Sequence, residues 1–129
     1  MVKIENQDIE IPTIHLEWSS WLACHEQISQ RTMVPNNPRR TAGVYEARLR
    51  SRPDRLIIGK TNCVAEMVQD ALGLGEKSGE PWESIRDNED LSQVEVRWAE
   101  TTRPCAVQEE LLRMHITQHK IIPKYYSST

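Results

Sequence analysis

Gly43-Val44-Tyr45-Glu46-Ala47-Arg48-Leu49-Arg50-Ser51-Arg52-Pro53-Asp54-Arg55-Leu56-Ile57-Ile58-Gly59 is the stretch on which the reading of this chain turns. Two short runs, Gly43-Val44-Tyr45 and Ile57-Ile58-Gly59, are each tied to a glycine and stand eleven residues apart. The polar centre, Arg50 to Arg55, reads as a turn. That layout predicts a two-stranded hairpin with strands over 43–50 and 55–60. Alternation along the first strand places Tyr45 on the face of Ala47 and Leu49. A tyrosine held there can share its hydroxyl proton with water or phosphate, or simply pack on a half-buried sheet.

Working outward, Thr61 or Asn62 can cap a helix over 62–73. Val64, Met67, Val68, Ala71 and Leu72 follow the i, i+3, i+4, i+7 spacing, and Gly73 and Gly75 end it. Residues 75–92 are polar and loop-like, with one short helical turn from Pro81 to Arg86. Val94, Val96 and Trp98 alternate as a strand over 93–99, and Pro104 opens a helix running to His119. On the other side, Pro35-Asn36-Asn37-Pro38 breaks the chain ahead of the hairpin. Trp18, Trp21, Leu22 and Ile28 recur with helical spacing, so a helix over 18–29 packing its tryptophans on the sheet is expected. Residues 1–16 alternate through Ile9, Ile11 and Ile14, with Pro12 confining any strand to an edge. The expected architecture is α/β, a single domain over 1–129. It has a small three-stranded, mostly antiparallel sheet flanked by helices and a helical N-terminal extension over about 1–40.

The two glycine-tied runs resemble the signature of the GIY-YIG nuclease superfamily, written here as GVY and IIG. The resemblance continues through Gly59-Lys60-Thr61-Asn62, the following helix, the strand from Val94, the last helix, and Pro123-Lys124-Tyr125-Tyr126. It covers residues 42–126. What it implies is a magnesium-dependent phosphodiester hydrolase acting on DNA. In that scheme a hairpin tyrosine activates water, a helix arginine holds the phosphate, and a glutamate on a later helix anchors the metal.

Tyr45 matches the first tyrosine, and Ile57 replaces the second. The phosphate-binding arginine falls at or beside Met67, where neither Glu66 nor Met67 can do its work. Lys60, Arg86 or Arg97 would have to substitute. The metal-binding glutamate falls at Gln108 if Leu111-Leu112 is the family's apolar pair. Gln108 shares the helix face of Leu111, Leu112 and His115, whereas Glu109 and Glu110 point elsewhere. A shift of one residue would make Glu109 the ligand. The departures fall on reactive positions and the structural ones are kept. The leading expectation is therefore a nucleic-acid-related scaffold with a degraded hydrolytic site. The alternatives are an active endonuclease using Tyr45, Lys60, Arg86 or Arg97, with magnesium on Glu109 or Glu110, and a protein-interaction or inhibitor module.

Charge bears on the partner. The net charge is −3, yet residues 39–60 carry seven basic side chains against Glu46 and Asp54. Residues 66–110 reverse this to four basic against twelve acidic. A basic hairpin through Arg48, Arg50, Arg52 and Arg55 could seat a phosphate backbone or an acidic protein, or could be a solvated edge. No run approaches the roughly 20 apolar residues of a membrane span. Met1-Val2-Lys3-Ile4-Glu5 lacks the apolar core of a secretion signal, and Cys24, Cys63 and Cys105 are odd in number and widely spaced. A cytoplasmic setting with free thiols and no membrane partner is expected. His115 and His119 have the spacing of a zinc pair but no third ligand nearby in sequence, and read as a surface and semi-buried pair.

Overall fold

The computed structural model describes residues 16–24, 39–72 and 80–125. Four strands, Leu22–Ala23 (β1), Gly43–Leu49 (β2), Arg55–Thr61 (β3) and Val94–Glu100 (β4), form one antiparallel sheet in the order β1-β4-β2-β3. Three helices among the described residues accompany it: Val64–Ala71 (α1), Trp82–Asn88 (α2) and Pro104–His119 (α3). The α/β class and the antiparallel hairpin agree with expectation, and α3 has the expected bounds.

Two expectations are corrected. The sheet has a fourth strand. No helix starts at Trp18: residues 18–21 take no regular secondary structure, Leu22–Ala23 is a strand, and the first helical residue of the expected 18–29 span is Cys24. The Ser19 N–H donates to the Trp98 carbonyl and the Trp98 N–H donates to Ser19 Oγ, while Leu22 pairs with Val96. The open edge of β4 offers unpaired backbone groups, and satisfying them outweighs a short helical pattern. The short helical turn expected from Pro81 to Arg86 is present as α2 and extends to Asn88, burying Trp82 and Ile85. The rest of the 18–29 helix, the 1–16 alternation, the Pro35–Pro38 breaker and the Gly73 and Gly75 stops lie outside the described residues.

Strand alternation sorts the side chains onto two faces. Tyr45, Ala47, Ile57, Val94, Val96 and Trp98 join Val64, Met67, Val68 and Ala71 of α1 and Trp82 and Ile85 of α2 in the main core. Val44 and Ala99, on the opposite face, pack against Val107 of α3. So α1 and α2 cover one face and α3 the other. The α1 N-cap is Cys63 rather than Thr61 or Asn62, and Thr61 Oγ1 accepts from the Cys63 N–H. Gly43 is required by close approach, since a Cβ there would meet the Ala99 carbonyl oxygen at 2.4 Å.

After α3 the chain turns at Lys120, whose φ of 63° is left-handed. It then crosses the free edge of β3 as a strap. Pro123 is buried, and the Tyr125 N–H donates to the Leu56 carbonyl. On the far side the Tyr125 hydroxyl and Lys124 Nζ both donate to Glu89 Oε2 at 2.6 Å. Burial raises the Glu89 carboxyl, but these two donors outweigh it and hold the group below its ordinary range.

Candidate functional site

Tyr45 sits in the middle strand of the hairpin side of the sheet, opposite Gly59 on one flank and Trp98 on the other. Its ring lies across Gly59: a Cβ at that glycine would fall 2.2 Å from Cζ and 2.4 Å from the hydroxyl oxygen. The Trp82 ring closes over it, with centroids 5.4 Å apart. Tyr45 is only 7% exposed, and its hydroxyl has no hydrogen-bond partner among the described residues. Burial pushes its pKa up to about 12, which is the wrong direction for a base that must take a proton from water.

The sheet divides the other candidate catalytic residues. Arg86 lies on the Tyr45 side, but its guanidinium donates to the Asp70 carbonyl at the end of α1. Lys60 and Arg97 project from the opposite face, in register with Val44 and Glu46. Lys60 Nζ lies 3.1 Å from Cys105 Sγ. Met67 is buried in the core, as its place in the apolar stripe predicts.

The residues considered for magnesium are on α3, across the sheet from Tyr45. Gln108 Nε2 donates to the Ile58 carbonyl at 3.1 Å. Glu110 pairs with Arg113, whose hydrogen bond and charge hold its carboxyl below the ordinary range. Glu109 is exposed. Among the described residues no group of three or more His, Cys, Asp or Glu side chains could hold a metal ion. Gln108, a neutral amide engaged with the Ile58 carbonyl, stands where the nuclease resemblance puts the anchoring carboxylate, so that position does not fit magnesium.

The hairpin arginines form a different constellation. Glu46, 4% exposed, accepts from Arg55 Nε at 2.9 Å and from Arg97 Nη2 at 2.7 Å. Glu95 likewise accepts from Arg48 at 3.0 Å and Arg50 at 3.1 Å. Trp18 and Trp21 lie beneath these guanidiniums, with Arg97 at 4.1 Å from the Trp18 centroid and Arg48 at 4.0 Å from that of Trp21. Each carboxylate is shared by two arginines, so each cluster keeps one surplus positive charge. Arg52 pairs with Asp54 at the hairpin tip. Arg48 and Arg55 are largely inside this network, while Arg50 and Arg52 are exposed.

The sequence reading missed Glu46 and Glu95, although a signal exists. Glu46-x-Arg48 and Glu95-x-Arg97 on antiparallel strands bring opposite charges face to face, and the register is Glu46 with Arg97 and Arg48 with Glu95. No protein-family model matches the chain, and neither a curated protein nor a solved structure matches it. No helix among the described residues is long and apolar enough to cross a membrane.

Proposed function

We propose that this chain is a GIY-YIG-like scaffold in a nucleic-acid-binding role, with its phosphodiester-hydrolysis centre degraded. One observation carries the reading: the sheet separates Tyr45 from Gln108, Glu109 and Glu110. A base and a metal on opposite faces of a sheet cannot act on one phosphate. Binding falls to the exposed tip arginines, Arg50 and Arg52, supported by the surplus charge of the two carboxylate clusters behind them.

The test is cleavage of single-stranded, duplex and branched DNA with magnesium or manganese, run beside Tyr45→Phe. Equal, background-level rates for both proteins are expected. Because the buried hydroxyl has no partner, Tyr45→Phe should also fold and gain up to about 1 kcal/mol of stability. Metal-dependent cleavage lost in the variant would overturn the proposal. Binding to the duplex DNA should weaken with salt, and the log–log salt slope should fall by about 0.9 for each of Arg50 and Arg52 replaced by alanine.

The protein-interaction reading is favoured by a separate observation. Met114, Ile116, Ile121 and Ile122 are exposed near the end of α3, at 44% to 56%. DNA affinity unaffected by both arginine replacements would move the assignment there.

A further inference from the structure

We propose that His115 is an acid-sensitive latch that holds the end of α3 to the first residue of β3 and to the strap over 120–125. Its ring joins three elements. The Arg55 N–H donates to His115 Nε2 at 2.9 Å, and His115 Nδ1 lies 3.1 Å from the Ile121 carbonyl oxygen. Nε2 accepts, so the ring is neutral with its proton on Nδ1, donated to Ile121. An imidazolium carries a proton on both nitrogens. Its Nε2–H would point at the Arg55 N–H, so protonation and the closed latch exclude each other.

The surroundings act in the same sense. His115 is 5% exposed. From its own helix it meets the His119 ring, centroids 4.6 Å apart, which opposes a charge on His115. From the hairpin it faces the Arg55 guanidinium, which opposes protonation, and the Asp54 carboxylate, which favours it. From the strap it meets the Ile121 carbonyl. Burial first, then His119, hold His115 below the ordinary histidine pKa. A depressed pKa means that the closed latch is favoured above the ordinary histidine value and is lost as pH falls below it.

The position gives opening a consequence. β3 is the edge strand, and three groups cover its free edge: Gln108 on the Ile58 carbonyl, Tyr125 on the Leu56 carbonyl, and His115 on the Arg55 N–H. Releasing His115 bares the Arg55 N–H and frees the strap between Lys120 and its anchor at Tyr125 and Glu89.

Amide hydrogen exchange by NMR, on the full chain at about pH 7.5 and about pH 5 and corrected for intrinsic rates, reads this directly. The Arg55 amide should lose protection by up to roughly thirtyfold, the protonation ratio of an ordinary imidazole of pKa about 6.5 at that lower pH. Amides of Val44 and Val96 in the central strands should keep theirs. In His115→Gln, whose side-chain amide neither gains nor loses a proton over this range, Arg55 protection should be independent of pH. Arg55 protection that is unchanged in the wild type, or pH-dependent in His115→Gln, would refute the latch. Imidazole nitrogen shifts of the wild type give a check that needs no variant: the Nδ1–H tautomer at neutral pH supports the latch, and the Nε2–H tautomer overturns it.

Discussion

Replacing Gln108 by glutamate restores the charge that a nuclease centre would need at this position, and the geometry predicts damage rather than repair. The Gln108 amide donates to the carbonyl of Ile58, a residue only 2% exposed on the outer edge of β3, which has no strand neighbour. A carboxylate has no proton to give. It would leave that carbonyl unpaired and place negative charge against it. Orphaning a buried acceptor costs about 1–3 kcal/mol, or a fall in Tm of roughly 4–12 °C for a domain of this size. The penalty has a pH signature. The new carboxyl is stabilised in its protonated form, which can still donate to Ile58, so its folded pKa lies above the unfolded value of about 4.3. Stability is then closest to wild type below that value and is lost as pH rises through the folded pKa. Gln108→Met, which removes the donor without adding charge, should lose a similar amount with no such pH dependence. Thermal melts of the three proteins at several pH values, with and without magnesium, decide the matter. A Gln108→Glu protein as stable as wild type at neutral pH, or one stabilised selectively by magnesium, would refute the edge-cap reading and revive a metal site on α3.

Gly59→Ala should cost about 1–3 kcal/mol in urea unfolding, because its Cβ would lie 2.2–2.5 Å from two ring carbons and the hydroxyl oxygen of the buried Tyr45. The penalty should largely vanish in a Tyr45→Leu background; additive losses would mean that the ring does not rest on Gly59. Glu46→Gln leaves Arg55 and Arg97 around a neutral amide in a buried site and should cost about 3 kcal/mol. A loss within about 0.5 kcal/mol would show that the arginines are held by Trp18 and Trp21 rather than by the carboxylate.

Much of the fold is legible in the chain because it depends on local pattern. The β2–β3 hairpin, the apolar stripe of α1 and the proline-started α3 each declare themselves within about a dozen residues. The segment around Trp21 and Leu22 does not, since its spacing fits a helix as well as an extended strand. What decides it is the open edge of β4, some 75 residues away in the chain. The α2 helix was legible only as a single turn from Pro81 to Arg86, because just two of its seven residues, Trp82 and Ile85, are buried, too few to mark a longer period.

The candidate site was harder to read because a motif orders residues along a line, whereas chemistry needs them on one face. Tyr45 and Lys60 stand opposite or next to the same glycine, yet alternation sends them to opposite sides of the sheet. The three departures from the nuclease pattern each have a physical use in this structure. Ile57 fills the core beside Tyr45, and Met67 packs in the same cluster from α1. Gln108 satisfies the edge carbonyl that a glutamate would repel. A tyrosine in place of Ile57 would bring a second hydroxyl into a layer that already holds one without a partner. An arginine at Met67 would put a guanidinium where only side chains of the main core surround it. Introducing the nuclease-pattern residue at one position alone is therefore costly in this packing, because each site holds an apolar or neutral side chain that suits its neighbours. On the proposed reading, the side chains that stand where the nuclease pattern has catalytic groups are the ones that close the core and cover its edge.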